Sequence, residues 1–452
     1  MSESSIEYAY QYPFSSSLAT AADGGHLQLA TSKQADQYPY FFEGKLLQPR
    51  TTAQLLFLLA KIVGTRFYMP PAMLKKIIAE RDPVITSGGG VLRFEGFSAC
   101  CSTYARVDLT PEAYVGTLTG TGTTNVDFNA PMKASLAAVR DQDRLSLSVG
   151  PDQVMLKRGF SEVIERKVQL PLRWIKGFVE VQAYQSTMQL RYTIGKSETI
   201  KFLRSLPANA HHRSNFFVVP SGQGLRLSQV ESTGGIVVGG LERLALLKSV
   251  ASLADELKIY ASPNGESSEW QLRCGGISLH LTITAESSRG FSGEGQVLSD
   301  LAQPGLMQIA KVQAELSWQA LLDVDQTALR CALTAATVKQ SLSILGSRGL
   351  VGFDLANGAY FSRQMPFDME LVESVHPRLK AARKLVDSGD VKVLSKVGDA
   401  VEAQVKGTDV NHRVRIDSER EYCSCQWHSK YQGHRGPCKH ILSVKLVAGM
   451  EE

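Results

Sequence analysis

Four side chains able to bind a soft or borderline metal stand in two close pairs late in the chain: Cys423-x-Cys425, then twelve residues, then Cys438-x-His440. Zn²⁺ takes four tetrahedral ligands, and three thiolates with one imidazole form a closed structural set. In the run YCSCQWHSKYQGHRGPCKHILSVKL, the C-x-C pair suits a turn at the end of a strand. The C-x-H pair suits a loop entering the apolar helix HILSVKLV, with Gly436 and Pro437 shaping the entry. Any fold of this segment must bring a strand end and a helix start together. His428 and His434 lie in the same loop and either has the chemistry to replace His440. His440 stands one residue from Cys438, mirroring the C-x-C half, so the expected Zn²⁺ ligands are Cys423, Cys425, Cys438 and His440. The chain has seven cysteines, an odd number spread thinly apart from this cluster, which favours metal or reduced thiols over a disulfide framework.

The spacing resembles that of the SWIM zinc finger: C-x-C, a variable linker, then C-x-H, with a short β-hairpin before it and a helix after it. The resemblance implies a finger that binds nucleic acid or a protein. From Tyr422 to Leu446 the chain carries Lys430, Arg435, Lys439 and Lys445 and no Asp or Glu. Three thiolates around Zn²⁺ contribute about −1, which leaves a modestly positive module. Lys430, Arg435 and Lys439 are therefore candidate phosphate contacts. The stretches PVITSGGGVLRFEGFSACCSTYARVDL and GTTNVDFNAPMKASL also resemble bacterial SWIM zinc finger family proteins. That wider resemblance implies an accessory protein found beside MoxR-type AAA+ ATPases and von Willebrand A-domain proteins.

The 452 residues suffice for about three domains, and we expect an α+β, mostly antiparallel, multi-domain chain. Residues 1–100 read as a partly extended leader followed by a helical pair. Thr51 and Thr52 cap AQLLFLLAKIVG, and Pro70 and Pro71 open AMLKKIIAERD. Gly88, Gly89 and Gly90 suit a linker, and VLRFEGFSACCSTYARVDL reads as a strand or hairpin. Residues 101–310 form an α+β body. Two of its segments, from Asn125 and from Gly235, share the order strand, helix, strand, turn, strand, as a duplicated β-α-β-β unit would; sliding-clamp-like folds are one architecture built that way. Residues 311–370 give helices VQAELSWQALLDV and TALRCALTAATVKQSLSILGSRG, then a hairpin turning at Asn357-Gly358, the order of a winged-helix-like module. Lys339 and Arg348 lie on its candidate recognition helix. Residues 371–452 hold the basic helical run RLKAARKL, with Arg378, Lys380, Arg383 and Lys384, then strands, then the finger.

Hydrophobic residues make up 43% and charged residues 21%, a globular balance rather than a disordered one. The net charge of +5 is too small over this length to mark the whole chain as a nucleic-acid or membrane binder, so any basic function is local. No apolar run reaches the ~20 residues of a membrane span, and the first twenty-five residues lack a basic n-region and an apolar h-region. A cytoplasmic location is the expectation. No G-x-x-x-x-G-K-[ST] occurs. Gly120-Thr-Gly122-Thr-Thr-Asn125 lacks the last glycine of a dinucleotide loop and reads as a flexible turn. Cys100-Cys101 reads as one small residue facing each side of a strand, His211-His212 as a loop, and Asp141 and Asp143 as flanks of a turn. No nucleophile-and-base signature appears. The expected function is a non-enzymatic, zinc-binding adaptor whose finger binds nucleic acid or protein. The alternatives are an ATPase-linked component with no nucleic-acid role, and an enzyme whose site is assembled within 123–310.

Overall fold

The computed structural model describes residues 17–21, 24–29, 42–67, 83–118, 122–125, 128, 130–149, 172–207, 215–286, 290–291, 306–316, 319–347, 349–363, 376–398, 400–408, 410–417, 420–433 and 436–450. The chain divides into two compact units: residues 1–174, 184–291 and 363–366, and residues 175–183, 292–362 and 367–452. The architecture is α+β with several antiparallel sheets. Among the described residues no helix is long and apolar enough to cross a membrane.

The first unit is built on an eight-stranded antiparallel sheet. Its strands run in the order Gln189–Gly195, Glu256–Ala261, Ser267–Cys274, Ile277–Thr284, Thr103–Leu109, Val91–Phe97, Val84–Gly88, Gly122–Asn125. The alternation in these strands sorts side chains onto two faces. Ile277, Leu279 and Leu281 stand opposite Leu109, Val107 and Ala105, and the helix Pro49–Gly64 packs on this apolar face, where Val63 leaves no room for a Cβ at Gly96.

The opposite face is polar and buried too. Arg93, Glu95, Arg106, Asp108, Glu269 and His280 are all at most 5% exposed, so their charges have to be met within the protein. His280 Nδ1 lies 2.8 Å from Glu269 and its Nε2 3.4 Å from Asp108; Arg106 Nε donates to Asp108 at 3.1 Å. Glu269 also accepts from Gln185 at 2.6 Å, and Glu95 accepts from Tyr104 at 2.7 Å and from Arg363 at 3.1 Å. Burial alone would raise the carboxyl pKa values. Arg106 and His280 overcome it at Asp108, and His280 overcomes it at Glu269, so both stay below the usual carboxylate range.

The same unit holds a five-stranded sheet, Ser17–Ala21, Gly24–Leu29, Leu145–Val149, Phe42–Leu46, Tyr114–Leu118. Gly24–Leu29 and Leu145–Val149 pair in parallel. Three of its strands come from the stretch expected to be a leader. A three-stranded sheet, Gly224–Ser228, Asn215–Ser221, Ile236–Gly239, completes the unit.

Several local expectations change. The helix begins at Pro49, two residues before Thr51, because proline presets the first-turn φ; Thr52 Oγ1 donates to the Gln48 carbonyl instead of capping. Its expected partner AMLKKIIAERD lies outside the described residues, as does His211-His212. The triple glycine is no linker. Gly88 pairs with Val91, and Gly89 and Gly90 form the two-residue turn between them with φ of 63° and 78°, which only glycine adopts without strain. Gly122–Asn125 is an edge strand rather than a turn. Cys100 and Cys101 sit in the turn between Val91–Phe97 and Thr103–Leu109, with Cys101 at φ 54°, so they do not face opposite sides of a strand.

In the second unit, the two helices expected after Lys311 resolve into three, with a strand between the first two. The helices are Leu306–Glu315, Val324–Cys331 and Ala335–Ser347. Leu321–Leu322, expected within the first helix, is instead a strand that pairs with Phe361 and Tyr360. Ala332 at φ 53° ends the second helix, and Thr334 Oγ1 accepts from Thr337 N at 3.1 Å to start the third. With the hairpin Val351–Asp354 and Ala359–Ser362, the order is helix, strand, helix, helix, hairpin. Arg348 lies outside the described residues. The last module is a four-stranded antiparallel meander, Val391–Val397, Ala400–Lys406, Asn411–Ile416, Glu421–Cys423. It is crossed by the C-terminal helix Lys439–Met450, which also packs against the basic helix Pro377–Asp387.

Candidate metal centre

The meander and the C-terminal helix place the four expected ligands. Cys423 ends the last strand opposite Val414, and Cys425 two residues on is the N-cap of the short helix Gln426–Tyr431, its Sγ accepting from His428 N at 3.4 Å. The chain then turns back through Gln432 and Gly433, both at positive φ. Cys438 opens the C-terminal helix, where its carbonyl accepts from Leu442 N at 3.0 Å, and His440 lies in the first turn. The ligand atoms of the four residues all fall within 4.8 Å of one another. Cys423 Sγ and Cys438 Sγ are 3.7 and 4.0 Å from His440 Nδ1. A tetrahedral zinc with Zn–S of ~2.3 Å and Zn–N of ~2.0 Å needs sulfur-to-nitrogen edges of roughly 3.5 Å, so the donor set and its size fit Zn²⁺.

Each ligand is buried, and the three cysteines form one core cluster with Val401, Ala403, Val405, Val414, Ile441 and Val444. Hydrogen bonding to Cys425 and Cys438, together with burial, pushes the Cys423 thiol up, and hydrogen bonds from Cys423 and Cys438 pull Cys425 down. Three thiols this close cannot all ionise on their own charge; a divalent cation is what deprotonates the set. Four protein ligands leave no open coordination position, as in structural rather than hydrolytic zinc sites.

His428 is not turned to this cluster as a ligand: Tyr422 meets its ring edge-on at 5.6 Å. His434 and Arg435 lie outside the described residues. Lys430 is exposed with Nζ 5.1 Å from the Tyr431 ring centroid. Lys439 is half-buried beside the centre. Lys445 is withdrawn from the expected basic set by an ion pair with Glu421.

Beside the metal centre the same module forms a pocket of about 490 Å³, lined by Arg378, Val410, His412, Trp427, Lys439 and His440 among others. Arg378 donates to the Pro437 carbonyl at 2.9 Å and lies 4.8 Å over the Trp427 ring. The His412 ring lies against that of His440, tilted by 39° with centroids 4.4 Å apart. Sequence reasoning placed Arg378 in a basic run and Trp427 in the finger loop; their meeting across 49 residues had no sequence signal.

A strand end, a capped turn and a helix start that together gather three cysteines and one histidine define a zinc module of the Cys₃His class. Residues 412–449 match the SWIM zinc finger family model, and the chain carries a SWIM zinc finger whose Cys₃His cluster can hold a zinc ion. No curated protein matches the chain. Among solved structures it is similar to Proliferating Cellular Nuclear Antigen from Entamoeba histolytica, at 11% identity and a TM-score of 0.33, covering 54% of this chain and 98% of that one. A likeness at that level carries no argument about this protein.

Proposed function

We propose that the protein is a non-enzymatic adaptor whose zinc-braced C-terminal module binds nucleic acid. The distribution of charge carries this reading. Residues 376–450 hold 14 Lys and Arg against 8 Asp and Glu, an excess of six, while the whole chain has an excess of only five. The positive charge of the protein is thus confined to the module built around the metal centre. Lys380, Arg383 and Lys384 are exposed on the basic helix, and Lys430 is exposed on the finger. Clustered cations of this kind release counterions from phosphates and give steeply salt-dependent binding. The closed ligand set supports a bracing role for zinc over a catalytic one. Nothing in the fold or the comparisons speaks for a MoxR-type ATPase or a von Willebrand A-domain partner, and the proposal does not include them.

The test is affinity for single- and double-stranded DNA over a salt series, in the parent and in a variant with Lys430, Arg435 and Lys439 changed to Gln. Binding that weakens with salt, with a shallower slope in the variant, is the expected result. Absence of binding at low salt would leave docking to a protein as the better account.

A further inference from the structure

We propose that the pocket beside the metal centre holds one unpaired base of a single-stranded nucleic acid. The proposal rests on the nucleic-acid reading above and names the form of nucleic acid that the module takes. Three features of the pocket support it.

The first is a pair of flat groups already fixed in place. The Arg378 guanidinium is held by the Pro437 carbonyl and by the Trp427 ring, and the His412 imidazole by its tilted contact with the His440 ring at 4.4 Å. Guanidinium and imidazole planes are platforms on which splayed bases stack, and fixing them beforehand lowers the entropic cost of binding. At about 490 Å³ the pocket has the size of a small-ligand site.

The second is a donor without an acceptor. His440 turns Nδ1 to the cysteines, and with Nδ1 on the metal its other nitrogen, Nε2, would be the N–H donor. A metal-ligating histidine normally hands that N–H to a carboxylate or carbonyl. Here Nε2 is buried and has no hydrogen-bond partner among the described residues, and the same holds for Trp427 Nε1. Both residues line the pocket. A base offers carbonyl oxygens and ring nitrogens on its edge and meets such donors without bringing a charge into the pocket.

The third is the sign of the charge. Arg378 and Lys439 line the pocket, and no Asp or Glu does among the described residues, which suits a base attached to phosphates. An acidic peptide would satisfy the cations but leave the stacking planes unused.

The experiment uses the full-length, zinc-loaded protein at low salt, with fluorescence anisotropy of a labelled thymidine octamer and of an abasic strand of the same length and charge. The parent is expected to prefer the base-bearing strand by about tenfold, the effect of one stacked base. Ala381→Phe, which fills the pocket from the basic helix, is expected to remove that preference and leave the abasic strand bound as before. Should Ala381→Phe hold less zinc than the parent, Val410→Glu at the 60%-exposed lip tests the same pocket, again with loss of base preference expected. Equal affinity of the parent for the two strands, or a preference that survives both variants, would overturn the pocket assignment and leave the nucleic-acid reading standing. No binding of either strand would overturn the pocket assignment, and absence of double-stranded DNA binding at the same low salt would overturn the nucleic-acid reading with it. An acidic octapeptide that binds and is displaced by Ala381→Phe, where DNA does not bind, would transfer the pocket to a protein partner.

Discussion

Replacing Cys438 by serine removes one of four metal ligands from the middle of a core. Cys438 is 2% exposed and lies in one cluster with Val401, Val405, Val414, Ile441 and Val444. Burying five such aliphatic side chains contributes on the order of 10 kcal/mol before entropy is counted. A structural zinc contributes about 10–16 kcal/mol in comparable small modules. The metal's contribution is therefore comparable with that of these five side chains together. Serine's hydroxyl is a poor zinc ligand at neutral pH, and Cys438→Ser should lose the ion and open the finger. Zinc content should fall from about one per chain to a small fraction of that. In hydrogen–deuterium exchange the amides of 411–416, 421–423 and 439–450 should lose protection, while those of 103–109 and 277–284, in the eight-stranded sheet, should keep theirs. A zinc-free variant with unchanged protection across 411–450 would refute the claim that the metal holds the module together. Loss of protection throughout the sheet as well would refute the claim that the effect is local.

Other expectations follow from the first unit. Burial and Arg106 lower the pKa of His280, but Asp108 and Glu269 outweigh them and hold it above its ordinary 6.5. A folded pKa above the unfolded one means that the contribution of His280 to stability is fully present below pH ~6.5 and is lost as pH rises through the folded value. The melting-temperature gap between parent and His280→Gln should therefore be widest near pH 6 and shrink at higher pH; a gap that widens would refute this. Arg363→Met strips Glu95 of its guanidinium partner in a fully buried site and should cost about 3–5 kcal/mol in urea unfolding; a loss under ~1 kcal/mol would show that the pair contributes little. Gly90→Ala forces an L-residue to φ 78° and brings a Cβ to 3.1 Å from Pro111. It should cost about 1–2 kcal/mol, again read from urea unfolding, and a neutral result would mean that the hairpin relaxes.

The metal centre was legible in the sequence because its geometry is local. Two ligand pairs, each on a turn, need only a strand before and a helix after, and the spacing Cys423-x-Cys425 and Cys438-x-His440 specifies both. The α+β class was legible as well, since alternation in stretches such as Ile277–Thr284 and the apolar period of Ala53–Val63 are properties of short windows. Turn chemistry was only half legible. Asn357-Gly358 was placed in its hairpin, whereas Gly88 to Gly90 looked like a linker because glycines mark a break without saying whether the flanking strands pair. Helix ends shifted for the same kind of reason: a left-handed Ala332 leaves no compositional mark, so two helices looked like one.

What the tertiary structure alone decided is where distant side chains meet. Arg93, Glu95, Arg106, Asp108, Glu269 and His280 look in sequence like the solvent side of amphipathic strands. Only their position on a second buried face turns them into a charge-paired interior. Arg378 looked like one cation in a solvated helical run until helix packing laid it over Trp427. Window-scale patterns fix which elements form, because they depend on neighbours along the chain; pairing of charges, stacking of rings and the walls of a pocket depend on neighbours in space, and those are set by how the elements pack.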